Sequence, residues 1–134
     1  MGAANRIELL PPQAVTGSGA TNAIPINTFI SGIVGIDVTA VSGTTPRLDA
    51  YLQVSDDGGN TWYDMPYTLL TVTSAAASDV TASEKKRNII DNLTSGTRKA
   101  LAVFPELAAD VCRLAWIISG TTPSFTFSAS LVGK

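Results

Sequence analysis

Apolar and polar side chains alternate along three segments of the chain, residues 35–41, 47–54 and 124–132. In the first of these, Ile36 and Val38 would share one face of an extended strand while the polar residues between them share the other. A period of two is typical of a β-strand that buries one face. The sequence therefore predicts strands in these three segments.

Short clusters of turn-forming residues separate the predicted strands. Residues 42–46 read Ser-Gly-Thr-Thr-Pro, and the same five residues recur at 119–123, between the apolar run 111–118 and the alternating segment 124–132. Glycine and proline in such clusters favour turns. Each copy therefore predicts a hairpin, and the strands around the first copy predict an antiparallel meander. The repetition has two interpretations, a pseudo-symmetric pair of hairpins or a good turn sequence used twice.

These elements predict an all-β fold, an antiparallel β-sandwich or small barrel of the jelly-roll or immunoglobulin-like kind, over residues 26–134. Residues 1–25 predict an extended N-terminal arm, because Pro11 and Pro12 lack the N–H groups that a strand ladder needs. The alternative is that the arm is an edge strand of its own domain. Residues 72–100 predict a long connection between sheets, with a strand near 88–93.

The composition excludes several kinds of chemistry. The 134 residues include no histidine and one cysteine, Cys112, and the formal net charge is −2. Histidine is the commonest general base and metal ligand, so its absence argues against an enzyme or a zinc site. The basic cluster 85–87 is too short for a nucleic-acid surface. No apolar run reaches the length of a membrane span, and residues 1–10 lack a secretory signal pattern. We therefore expect no catalytic residues, cofactor, metal, nucleic acid or membrane partner.

Residues 55–62 read Ser-Asp-Asp-Gly-Gly-Asn-Thr-Trp. This run resembles the Asp-box turn of sialidases and related propellers, and the resemblance implies a structural turn without catalytic function. It also implies roles for single residues: Asp57 would cap loop amides, Gly59 would take a positive φ, and Trp62 would pack beneath the turn. The full structural set is Ser55, Asp57, Gly59, Thr61 and Trp62. A calcium site built from Asp56, Asp57 and Asp64 is an alternative, although the spacing does not match an EF-hand.

Residues 34–65 and 111–134 resemble small virion proteins of tailed bacteriophages, through their two Ser-Gly-Thr-Thr-Pro copies and the closing alternating strand. The resemblance implies a head decoration, or cement, protein that oligomerises, with a trimer favoured. It also implies a partner, the major capsid protein, and a place on the outer capsid surface after synthesis in the host bacterial cytoplasm.

The apolar residues outside the alternating strands are the candidate partner-binding residues, namely Ile7, Leu9, Leu10, Pro11 and Pro12. Two other functions stay open. A phage tail or neck component would have the same lack of catalytic groups. A carbohydrate-binding module would need exposed aromatic side chains on one sheet face, and the candidates are Tyr51, Tyr63 and Tyr67.

Overall fold

The computed structural model describes residues 5–73 and 87–134, and every regular element in this part of the chain is a β-strand. All the strand pairs are antiparallel, so the predicted all-β antiparallel class is confirmed. The strands are β1 (Asn5–Val15), β2 (Gly19–Ala20), β3 (Ile24–Pro25), β4 (Gly32–Ser55), β5 (Tyr63–Met65), β6 (Leu69–Thr73), β7 (Asn88–Leu93), β8 (Arg98–Phe104) and β9 (Val111–Gly133).

Two long strands, β4 and β9, form the centre of the structure. They pair along their whole length, from Gly32 opposite Gly133 to Ser55 opposite Val111. The segments β1, β2 and β3 follow one another along the outer edge of β9. On the other side, β8 pairs with the first part of β4, while β7 and β5 pair with its second part. The strand order β1-β9-β4-β8-β6 does not close into a barrel.

The long β4–β9 pair folds back on itself. The rings of Trp116 and Phe127 meet edge to face, with centroids 5.5 Å apart. Both residues lie on β9, and eleven residues of straight strand would separate them by about 36 Å. Strand β9 must therefore bend between them, and β4 bends with it. Two half-sheets result, with their apolar faces packed together as in a β-sandwich whose long strands pass from one layer to the other.

The first half-sheet contains the beginning of β4 and the end of β9, flanked by β8 and β1, with β6 paired to β8 at the edge. The second contains β2, β3, β5 and β7 with the remaining parts of the two long strands. A single cluster of buried apolar residues fills the space between them. Its fully buried members come from both layers and include Val34, Ile36, Phe127 and Leu131 from the first and Leu48, Leu52, Ile90 and Leu114 from the second.

The bend lies at the two Ser-Gly-Thr-Thr-Pro copies, and here the hairpin prediction was wrong. The copies face each other across the β4–β9 pair, with Ser42 opposite Ser124 and Thr44 opposite Thr121, at shifts of register. Residues 35–41 and 47–54 belong to one strand and not to a meander. A turn sequence reverses the chain only if the flanking strands pair with each other. In this fold both flanks of the first copy pair with β9 and both flanks of the second pair with β4, so the extra residues become bulges that bend the strands.

The two copies are conformationally alike. Gly43 and Gly120 have φ values of 111° and 120°, and Thr45 and Thr122 both have φ of 46°. A Cβ atom on Gly43 would lie 2.7 Å from the carbonyl oxygen of Thr122, and one on Gly120 would lie 2.7 Å from that of Thr45. The repeat therefore forms a local two-fold contact in which each glycine permits the backbone of the other copy to approach.

The N-terminal segment is part of the sandwich, so the boundary after residue 25 does not separate a free arm. Strand β1 pairs with β9 from Asn5 opposite Gly133 to Val15 opposite Phe125. The edge-strand alternative describes this segment correctly. The predicted strand at 88–93 is confirmed as β7, while residues 74–86 of the predicted long connection lie outside the described residues.

Candidate interaction surface

The first half-sheet has an outer face, directed away from the core, that exposes apolar side chains. Ile33 on β4 lies opposite Val103 on β8 and opposite Val132 on β9, and Leu69 on β6 continues the same row. Leu69 is 60% exposed, Leu101 is 43% exposed and Ile33 is 36% exposed. A row of apolar side chains across four strands at solvent-facing positions is typical of a surface that binds another molecule.

A trough runs along this outer face, with a volume of about 520 Å³. Its floor is made of small residues, Gly35 on β4 and the neighbouring serines Ser128 and Ser130 on β9. Longer side chains form its two walls: Lys99 and Leu101 of β8 with Thr71 and Thr73 of β6 on one side, and Arg6, Glu8 and Pro12 of β1 on the other.

The charges that line the trough balance. The lining includes two cationic side chains, Arg6 and Lys99, and two anionic ones, Glu8 and Asp37. Lys99 lies opposite Asp37 in the β4–β8 pair. A face with no net charge does not repel a partner of either sign, or a second copy of itself.

The candidate partner-binding residues on β1 mostly face the core. Leu9 and Leu10 are 7% exposed and belong to the buried cluster, and Ile7 lies opposite the buried Leu131. For Leu9 and Leu10, β9 and the core provide the apolar partners within the same chain. Pro11 and Pro12 are exposed, at a shift of register in the β1–β9 pair. Two prolines and a bulge make β1 a poor template for a further strand.

The turn at residues 55–62 is held by its own side chains. The Oδ1 atom of Asp57 accepts hydrogen bonds from the backbone N–H groups of Asn60 at 3.0 Å and Thr61 at 2.8 Å. The Ser55 hydroxyl donates to the same Oδ1 at 2.7 Å and accepts from the Gly59 N–H at 2.9 Å. The hydrogen bond from Ser55, followed by those from Thr61, lowers the pKa of Asp57 to about 2. These bonds satisfy the groups of the turn itself, so its geometry is that of a structural element.

The glycine and the aromatic residue of this turn lie against each other. Gly59 has a φ of 101°, and a Cβ on it would lie 3.3 Å from the ring of Trp62. The guanidinium carbon of Arg113 lies 4.2 Å from the centre of that ring. Arg113 also donates from Nε to Gln53, and Gln53 donates to Asp64, so a chain of polar contacts leads away from the turn.

The three tyrosines do not form an exposed aromatic platform. Tyr51 is 9% exposed and lies beneath the Arg87 guanidinium, whose carbon is 4.2 Å from the ring centre. Tyr67 is 5% exposed, and burial, with the nearby charge of Asp91, raises its pKa. Of these three tyrosines, Tyr63 is the exposed one, with 55% of its surface accessible to solvent. The prediction of a sugar-stacking face from these residues was wrong, because arginine and the core cover two of them.

Groups with reactive chemistry are sparse in the described residues. Cys112 is fully buried, and burial raises the pKa of its thiol to about 12. Residues 5–73 and 87–134 contain no group of three or more histidine, cysteine, aspartate or glutamate side chains placed to hold a metal ion. The same residues contain no helix that is long and apolar enough to cross a membrane.

No protein-family model matches the sequence, and no curated protein matches it. Solved structures do match the fold. The crystal structure of SPBc2 prophage-derived protein YomS aligns with a TM-score of 0.50 and 10% identity, covering 99% of this chain and 97% of that one. A chain in the structure of infectious bursal disease virus, Gx strain, aligns with a TM-score of 0.56 and 16% identity. That alignment covers 97% of this chain and 31% of the viral one.

Both neighbours therefore come from viruses, one from a prophage and one from a virus particle structure. At these identities the likeness shows a common fold. The chain spans nearly the whole of the prophage-derived protein but less than a third of the viral chain.

The outer face was not found from the sequence. Its signal was available, because Ile33, Leu69 and Leu101 are large apolar residues at strand positions that face solvent. Recognising it requires the register between strands, which aligns residues distant in sequence into one row. The local sequence around each of these residues does not show that Leu69, Val103 and Ile33 lie in one row.

Proposed function

We propose that this chain is a virion structural protein that binds the outer surface of a bacteriophage head and stabilises it without catalysing a reaction. Its partner would be the major capsid protein, and its place the capsid surface. The observation that carries the proposal is the fold shared with a prophage-derived protein over nearly the full length of both chains. The sequence resemblance to small virion proteins of tailed phages points the same way.

The surface of the molecule suits this role. A decoration protein needs a stiff scaffold and an interface whose modest affinity is multiplied by many copies on one shell. The sandwich supplies the scaffold, and the exposed Ile33, Leu69 and Leu101 of the outer face supply a candidate interface for self-association. Self-association would raise the overall affinity for a lattice further, because several contacts would then act together.

The proposal is tested on particles with and without this chain. Purified heads are analysed by quantitative mass spectrometry and by cryo-electron microscopy, and their DNA release on heating is recorded. We expect the chain in a fixed ratio to the major capsid protein, density on the outer shell, and earlier DNA release from heads that lack it. Absence from heads, or density confined to the tail or neck, would refute a role in decoration.

A further inference from the structure

The outer face of the first half-sheet has a shape and charge that fit a second copy of the same face. We propose that two copies of this chain pack these faces together around a two-fold axis that runs parallel to β4 near Gly35. Such self-association would cover the outer face, so attachment to a capsid would use another part of the surface. The long, short, apolar and charged side chains of this face are arranged in rows, and this arrangement supports the two-fold dimer.

The two outer faces are complementary in shape. A two-fold axis along β4 places β8 of one copy over β9 of the other, because these strands flank β4 on opposite sides. Leu101 would then lie over Ser130 of the second copy, and Lys99 over Ser128. Long side chains of one wall therefore enter the part of the trough whose floor is made of small residues. The same fit occurs twice, as a two-fold contact requires.

The apolar row also meets itself in this arrangement. With the axis along the strands, each row of one copy meets the same row of the other. Val103 then lies over Val132 of the second copy, and the two Ile33 side chains lie near each other at the axis. At the two ends of the row, Leu69 of one copy lies over Arg6 of the other. An axis across the strands would instead place the whole apolar row on the row that contains Lys99 and Asp37.

Charged side chains also correspond across the interface. Lys99 and Glu8 lie on opposite walls of the trough, and the axis brings the wall of one copy toward the opposite wall of the other. Lys99 of each copy therefore approaches Glu8 of the second copy. The two Asp37 side chains meet at the axis, and the Lys99 that lies opposite each of them in its own chain offsets this like-charge contact.

The outer face covers five strands of unequal length. At a spacing of about 4.8 Å, and with an average of about eight residues of about 3.3 Å in each, these strands give a face of roughly 600 Å². Two such faces bury roughly 1,200 Å² in total, which is at the lower end of stable specific interfaces. The face is thus large enough for a dimer.

A matched pair of variants tests the proposal. Leu101 and Ile117 are equally exposed, at 43%, but Ile117 lies on the second half-sheet, outside the proposed interface. Sedimentation velocity over a dilution series measures association of the full chain, and circular dichroism checks folding. We expect a dimer for the unmodified protein and for Ile117→Lys. We expect association at least about tenfold weaker for Leu101→Lys, which places an unpaired charge in the interface.

A charge exchange provides a second test that does not depend on apolar substitution. Lys99→Glu and Glu8→Lys should each weaken association, and the chain with both substitutions should regain it. A monomer, a trimer, or a dimer equally affected by Leu101→Lys and Ile117→Lys would overturn the proposal. A monomer that still decorates heads refutes only this dimer, whereas a dimer that is absent from heads refutes only the proposed function.

Discussion

The contact between the two Ser-Gly-Thr-Thr-Pro copies predicts that Gly43→Ala destabilises the fold strongly. At φ of 111° a side chain strains the backbone, which costs about 1–3 kcal/mol. The new methyl would also lie 2.7 Å from the Thr122 carbonyl oxygen and 2.8 Å from the Pro123 Cα, both backbone atoms. Relieving that overlap means displacing β9, at a further cost of about 1–3 kcal/mol. The expected total is about 2–6 kcal/mol, a large part of a typical domain's stability.

Two other glycines separate these contributions. Gly96 has a φ of 78° with open space around it, so Gly96→Ala should show the backbone strain alone. Gly17 lies outside the positive-φ region and also has open space, so Gly17→Ala should change stability by less than about 0.5 kcal/mol. Gly120→Ala should match Gly43→Ala, because its methyl would meet the equivalent atoms of the first copy at 2.7 Å and 2.9 Å. Because the sites touch, the double variant should lose less than the sum.

The assay is equilibrium unfolding in guanidinium chloride, followed by the fluorescence of Trp62 and Trp116 and analysed for midpoint and slope. An unchanged slope with a lower midpoint is expected for Gly43→Ala. The reasoning fails if Gly43→Ala costs no more than Gly96→Ala, or if Gly43→Ala and Gly120→Ala differ widely. Either result would mean that the two copies do not press against each other at the bend.

Three further predictions follow from the core and the turn. The lowered pKa of Asp57 means that its ionised form stabilises the fold above its ordinary pKa of 3.8, and that this contribution disappears as the pH falls through about 2. The difference in melting temperature between the unmodified protein and Asp57→Asn should therefore shrink between pH 4 and pH 2; a constant difference would contradict the assigned hydrogen bonds. Cys112 should resist thiol reagents at pH 8 until the protein unfolds, because burial holds its pKa near 12; rapid labelling of the native protein would show an open core. Phe127→Ala should cost about 3–5 kcal/mol, since it removes a fully buried ring from the contact between the half-sheets. Ile117→Ala, at a 43% exposed position, is its control and should cost far less.

The local pattern of the sequence determined which residues form strands and which side they bury. Ile36 and Val38 alternate with polar residues, as do Phe125 and Phe127, and all four are buried in the structure. This works because a strand's side chains alternate between two faces whatever the strand pairs with. The turn at 55–62 is equally local, since the side chain of Asp57 bonds to Ser55, Asn60 and Thr61, all within four positions of itself.

Tertiary structure decided the rest, because it depends on pairing between distant residues. Ser-Gly-Thr-Thr-Pro suits a hairpin as well as a bulge, and only the continuous pairing of both flanks with β9 makes it a bend. Leu9 and Leu10 are apolar in any setting, and only the pairing of β1 with β9 assigns them to their own core. The outer face arises in the same way, because strand register gathers Leu69, Val103 and Ile33 from three separate strands into one row. Alternation is a property of one strand, whereas register is a property of two.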